Sequence, residues 1–247
     1  MNALLLAIPL TVSSALAADP KTALRPLLAQ PDQIVMTDDF SKPGPFNKEH
    51  WGARQGTQWA VVDGVLRGTP STPEYQATKK DHKGYEPRIS APVTPTQFIA
   101  QFSVRFEGGS ETAIVPFVEF GHHVCRLRLT KDGAELLADH EGTRVAESKD
   151  LKFTPGKWHH VLAEMKGGEF VIQFANGPTL YAKHDCFAKP APSGGAGLGL
   201  AGPKGGTAEL DNVTIWSIKA EQQPGWSARR DALPKFEPVP IVKKNAK

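Results

Sequence analysis

Between residues 121 and 130 the chain alternates with period two. Cys125, Leu127 and Leu129 share one parity, and Val124, Arg126 and Arg128 share the other. Such alternation marks a strand with one face in a core and one in water, as in an antiparallel sheet. The apolar parity belongs inside, so the opposite face presents two guanidinium groups and His122. A second regular stretch runs over 98–106, where Phe98, Ala100, Phe102, Val104 and Phe106 alternate with Gln101, Ser103, Arg105 and Glu107. Further strands are predicted at 34–40, 59–68 (as a hairpin), 112–120, 135–140, 143–147, 158–165, 170–174, 179–184, 197–201 and 207–218.

Turn chemistry separates these runs. Asp63-Gly64, Asp132-Gly133, Gly167-Gly168 and Asn176-Gly177 each lie between apolar segments. Asp-Gly or Asn-Gly in that setting is the strongest short-range hairpin signal. Many short strands with closely spaced turns predict an all-β, single-domain sandwich or jelly roll. A helical turn is expected only over 226–233. Residues 69–96, rich in Pro, Lys, Thr and Asp, form a long connection that carries Asp81-His82-Lys83-Gly84, and long ordered loops are often functional.

Residues 1–18 combine an apolar run with an Ala-x-Ala pattern at Ala15-Leu16-Ala17, which reads as a secretory signal peptide. The run is shorter than the about 20 residues a spanning helix needs. The mature protein is therefore expected to be exported, periplasmic or extracellular, with no membrane span. Residues 19–33 read as an N-terminal extension, 34–218 as the sandwich body and 219–247 as a basic, Pro-rich tail. The net charge of +3 lies in that tail, which holds seven Lys/Arg against three Asp/Glu. A nearly neutral body excludes a nucleic-acid binder, which carries its charge on a folded face. A monomer is expected. Cys125 and Cys186 are the only cysteines. They can pair in an oxidising compartment, or Cys125 can stay a buried thiol on the core parity.

The residues bear on three kinds of chemistry. Jelly-roll glucanases place carboxylates at alternate positions of one strand as Glu-x-Asp-x-x-Glu. The nearest match, Glu209-x-Asp211, has nothing acidic after it, so a structural role for Asp211 in the last strand is expected. The histidines His82, His122, His123, His140, His159, His160 and His184, with Asp81, Glu119, Asp139, Glu141 and Asp185 near them, suit a divalent metal or proton transfer. No pair among them has a spacing diagnostic of zinc. Arg105, Arg126 and Arg128 lie on non-apolar parities. They suit sugar hydroxyls or carboxylates, or equally a ladder of charge pairs with Glu119 and Glu164. Trp51, Tyr75 and Tyr85 in loops are candidates for stacking on a sugar, while Trp59, Trp158 and Trp216 are expected in the core. For a calcium ion, Asp38 or Asp39 with Asp211 is the candidate ligand set, joining the first and last strands.

Three separated motifs occur in an order that resembles a concanavalin A-like (laminin-G-type) jelly roll. They are Trp59-x-Val61-x-Asp63-Gly64-Val65-Leu66, Pro155-Gly156-Lys157-Trp158-His159-His160-Val161, and Gly197-Leu198-Gly199-Leu200 followed by Leu210-Asp211-Asn212-Val213-Thr214-Ile215-Trp216. More narrowly, the Asp81-His82-x-Gly84 loop and the histidine–cysteine–arginine stretch over 121–126 resemble exported bacterial proteins of the 3-keto-disaccharide hydrolase domain family. That resemblance implies a hydrolase or lyase of oxidised disaccharides. The residues themselves leave two broader readings open: a domain binding or processing a carbohydrate at its polar concave face, or a laminin-G-type interaction module without catalysis. Under the carbohydrate reading, His82, His122 and Arg126 are expected to meet at one site.

Overall fold

A computed structural model of the chain describes residues 24–92, 96–110, 117–130, 132–138, 142–151, 154–189 and 197–241. The expected signal peptide, residues 19–23 of the N-terminal extension, and Asp139, His140 and Glu141 lie outside them. In chain order the strands are β1 (Ala29–Asp38), β2 (Gly52–Ala53), β3 (Gln58–Val62), β4 (Val65–Thr69), β5 (Arg88–Ala91) and β6 (Ile99–Ser110). There follow β7 (Phe117–Phe120), β8 (Cys125–Thr130), β9 (Gly133–Ala138), β10 (Thr143–Ser148) and β11 (His159–Lys166). The last are β12 (Glu169–Phe174), β13 (Thr179–Lys183), β14 (Leu198–Ala201), β15 (Lys204–Gln222) and β16 (Val239–Pro240). Two short helices, α1 (Pro73–Ala77) and α2 (Trp226–Ala232), and a 3-10 turn at Asp185–Ala188 complete the elements.

The strands form two antiparallel sheets. The first runs β13-β12-β11-β6-β15-β4-β3, with β1 also on β15. The second runs β16-β10-β9-β8-β7-β14-β5-β2. Between them lies one core, in which Phe102, Val104 and Phe106 of β6 meet Phe120 of β7, Leu127 and Leu129 of β8 and Leu136 of β9. Over 98–106 the inward set is buried as read, although Ser103 of the outward set is buried as well. The 125–130 alternation holds as a strict buried–intermediate pattern. The alternation begins one residue later than the sequence suggested. Val124 is buried, because residues 121–124 form the turn between β7 and β8 instead of the start of a strand.

A second, smaller core covers part of the outer face of the first sheet. Leu24, Leu28 and Ala29 pack there with Ile99, Leu162, Val171 and Trp226. The buried Glu164 carboxylate ties the entering segment down by accepting the amides of Leu27, Leu28 and Ala29 at 2.8, 2.9 and 2.8 Å. At the other end, Trp226 is 2% exposed and donates its indole N–H to Glu169 at 3.2 Å. The stretch read as a tail from residue 219 is thus built into the body over its described part. β15 continues to Gln222, α2 docks by Trp226, and β16 pairs with β10. An isolated tryptophan in a polar, Pro-rich sequence has no periodicity to reveal such docking.

The long connection over 69–96 holds α1 and β5. Thr72 caps α1 and Pro73 opens it, the residue types that favour a helix start. Cys125 and Cys186 are both buried thiols. Among the described residues no helix is long and apolar enough to cross a membrane.

Candidate functional site

With the first sheet partly roofed, the outer face of the second sheet is the broad polar surface of the sandwich. Its chemistry centres on Glu119 of β7. The register sets Glu119 opposite Arg126 of β8 on one side and opposite Gly199 of β14 on the other. Arg126 Nη2 donates to Glu119 Oε1 at 2.7 Å, while the glycine leaves space above the carboxylate. The Arg126 guanidinium lies 4.0 Å from the centre of the Phe117 ring, and that of Arg88 lies 5.4 Å from the same ring. One aromatic side chain therefore seats two cations by cation–π contact.

The β7–β8 turn brings two histidines to the same carboxylate. Gly121 and His123 take left-handed backbone angles (φ 69° and 60°), and Gly121 N–H donates to Gly197 O at 2.8 Å. The tight turn aims both imidazoles back along β7. His122 Nδ1 lies 3.4 Å from Glu119 Oε2, and His123 Nδ1 lies 3.9 Å from Oε1. Among the described residues, Glu119, His122 and His123 are the three-residue group whose donor atoms are spaced to hold a metal ion. Burial pushes the Glu119 carboxyl up. The hydrogen bond and charge of Arg126, with the two histidines, outweigh burial and hold it below the usual carboxylate range. It is an anion at neutral pH.

Beside this cluster opens a cleft of about 80 Å³, lined by Arg54, Gln55, Arg88, Phe117, Glu119 and His122. Arg88 carries a buried Nε–H that has no hydrogen-bond partner among the described residues. Its nearest carboxylate oxygen, on Glu86, is 3.9 Å away. Burial pushes the Arg88 guanidinium below its ordinary value against the pull of Glu86, yet a guanidinium stays protonated at neutral pH. The cleft is therefore lined by a buried cationic side chain and an anionic carboxylate.

His82 lines a neighbouring hollow of about 380 Å³ with Asp81, Lys83 and Tyr85. Its Nδ1 is 3.0 Å from Gln55 Nε2, and Gln55 and Arg88 line both spaces. Gly84 makes this possible. It has φ 70°, and a Cβ there would sit 2.2 Å from the Gln55 carbonyl oxygen, so only glycine lets the 81–84 loop press onto residue 55. His122 thus lines the first cleft, Arg126 braces it from behind through Glu119 and Phe117, and His82 lies across the Gln55–Arg88 lip.

The other candidates fall elsewhere. Arg128 shares the face of Arg126, but it pairs with Glu135, which also accepts from Arg144 at 3.0 Å, so this end is a charge ladder. Arg105 lies on β6 in the opposite sheet. There Glu209 binds both Arg105 and Arg67, and Arg105 stacks 4.8 Å from the Trp158 ring. Glu209, the nearest match to half of a glycosidase pair, is therefore held in a triad with two arginines.

The aspartates proposed for calcium are also engaged. Asp39 caps the amide of Ser41 at 3.0 Å, Asp211 accepts its neighbour's amide at 2.7 Å, and neither belongs to a three-donor group among the described residues. Asp38 accepts from the Trp51 indole at 3.1 Å. Trp51 is 1% exposed, so it belongs to the core and cannot stack on a sugar. Tyr85 keeps a place beside His82, with Lys204 4.9 Å over its ring. The sequence missed Arg54, Gln55 and Arg88, which sit on loops and a short strand with no local pattern. Glu119 gave a faint signal, as an acidic residue seven positions before an arginine on a matching parity.

No protein-family model matches the sequence, so the narrower resemblance to the 3-keto-disaccharide hydrolase domain family gains no support there. No curated protein matches it either. Solved structures do. SCLam, a non-specific endo-β-1,3(4)-glucanase from family GH16, superposes with a TM-score of 0.50 at 9% identity, over 82% of this chain and 100% of that one. A GlcNAcα1-4Gal-releasing endo-β-galactosidase from Clostridium perfringens gives 0.50 at 10% identity, over 79% and 65%. The carbohydrate-binding module CBM66 from Bacillus subtilis gives 0.47 at 16%, over 69% and 98%. With two antiparallel sheets packed on one core, the chain has the concanavalin A-like jelly-roll fold that its motif order predicted.

Proposed function

We propose that this chain is an exported, carbohydrate-directed domain that binds a glycan in the cleft between Arg88 and Glu119. The observation that carries the reading is Arg88, a residue of the cleft wall whose buried Nε–H has no partner among the described residues. A buried donor left unsatisfied costs about 1–3 kcal/mol, and a ligand oxygen relieves that cost. Sugars present the matching groups, because each hydroxyl can accept from a guanidinium and donate to a carboxylate. The glucanase and galactosidase names of the structural neighbours agree with this ligand class. A recess with convergent polar groups suits a small ligand better than the flat face an interaction module would present.

The test is a glycan array probed with the untagged mature chain, followed by calorimetry on the glycans it captures. Arg88→Ala should weaken binding at least tenfold, equivalent to about 1.4 kcal/mol. An array with no captured glycan, or an Arg88→Ala chain that binds like the unaltered one, would remove the reading.

A further inference from the structure

We propose that Glu119, His122 and His123 form a site for one late first-row divalent cation of the zinc class. The spacing carries the argument. Four ligands about 2.1 Å from a tetrahedral metal lie about 3.4 Å from one another. His122 Nδ1 and His123 Nδ1 are 3.4 and 3.9 Å from the oxygens of Glu119, and one donor atom from each residue lies within 4.8 Å of the others. Small side-chain rotations close such a set on a metal.

The donor types select the ion. Two imidazoles and one carboxylate suit zinc, cobalt or nickel, whereas calcium and magnesium take oxygen ligands. The turn supplies the geometry. Adjacent residues of a strand point to opposite faces, so two consecutive histidines reach one carboxylate only where the chain turns, here with His123 at φ 60°. Arg126 orients the acidic ligand through its 2.7 Å hydrogen bond, the kind of outer contact that fixes a coordinating carboxylate. The His122 and His123 side chains are 27% and 50% exposed, so water completes the coordination on the cleft side. If His122 and His123 serve only as partners of the Glu119 carboxylate, zinc finds no saturable site and the His123→Asn chain behaves as the unaltered one.

The cation alone is the probe, so the outcome does not depend on whether a glycan binds. Calorimetric titration of the untagged, chelator-treated chain with zinc chloride at pH 7.5 should show one site per chain. His123→Asn keeps a residue tolerant of the left-handed backbone and removes a ligand; it should weaken binding at least tenfold, as should Glu119→Gln. Cobalt(II) should give a visible spectrum of a nitrogen-ligated ion that His123→Asn abolishes. His184→Ala, a control at the 3-10 turn, should bind as the unaltered chain does. Should Glu119→Gln fail to fold, His123→Asn at a half-exposed position decides. No saturable zinc binding, equal affinity after His123→Asn, or loss of binding in His184→Ala overturns the proposal.

Discussion

Glu119 and Arg126 stand directly opposite each other across the β7–β8 pair, and Arg126 Nη2 donates to Glu119 Oε1 at 2.7 Å. The pair holds the acceptor side of the cleft in place. It also couples that site to stability, because the carboxylate is largely withdrawn from water.

Arg126→Ala is expected to cost on the order of 3 kcal/mol at pH 7, since it leaves a buried carboxylate without its counter-charge. The penalty should shrink on acidification. In the unaltered chain the Glu119 carboxyl sits below its ordinary value of 4.5, so its contribution is present above that pH and is lost as pH falls through the folded value. Without Arg126, only His122 and His123 oppose burial, so the folded value rises and the stabilisation present above pH 4.5 shrinks. Chemical denaturation at pH 7 and pH 4 measures this. An equal penalty at both would contradict the assignment.

Trp226→Ala should destabilise the domain by about 3–5 kcal/mol, the usual range for deleting a buried large aromatic. The ring is 2% exposed among Leu28, Ile99, Leu162 and Val171, and its N–H has Glu169 as a partner. Removal of residues 223–247 should lower the melting temperature for the same reason. An unchanged melting temperature would show that α2 contributes nothing to the body.

What the sequence revealed and what it hid divide along physical lines. Period-two alternation reports which face of a strand is buried, so β6 and β8 and the inward set Phe102, Val104, Leu127 and Leu129 were legible. Turn dipeptides such as Asp63-Gly64 and Asn176-Gly177 report local backbone demands, and both fall between paired strands. Neither signal carries strand order. Arg105 and Arg126 look equivalent in sequence, but the topology places them in opposite sheets. Arg88 reaches the cleft because β5 pairs with β14, where its register partner is Ala201, 113 positions away. His122 reaches Glu119 through a turn that parity reasoning treated as strand. Asp39 and Asp211 looked like cation ligands because their turn-capping amides are invisible until the backbone is drawn.

His159 should make stability pH-dependent between the ordinary histidine value and a much lower one. It is 6% exposed at the start of β11. Burial first, then the charges of Lys157 and His160, push its pKa from 6.5 down to about 4. The unfolded chain therefore takes up a proton at a pH where the folded chain does not. Stability should fall as pH drops from 6.5 towards 4, by at most about 3 kcal/mol. His159→Leu should flatten the denaturation midpoint across that window, and an unchanged slope would assign the dependence to another group.

The last prediction concerns ligand length and depends on the carbohydrate reading. Two hollows, one of about 80 Å³ holding His122 and one of about 380 Å³ holding His82, share Gln55 and Arg88 as a common lip. A single sugar ring can engage Arg88 and Glu119 without touching His82. A longer oligosaccharide can cross the lip and meet His82 and Tyr85, where an imidazole and a phenol offer hydrogen bonds and a ring face. His82 is exposed, its side chain contacts Gln55 and its backbone is left-handed (φ 49°), so replacing it by Ala should leave the fold intact at a cost of about 1 kcal/mol. His82→Ala is therefore expected to weaken a tetrasaccharide about tenfold, or about 1.4 kcal/mol, and to leave a monosaccharide unchanged. Arg88→Ala should weaken both. Calorimetry on the two ligands with the two variants separates the cases. Equal losses for both ligands in His82→Ala would mean that the hollows act as one pocket, and no loss for either would leave the 81–84 loop with a purely structural role.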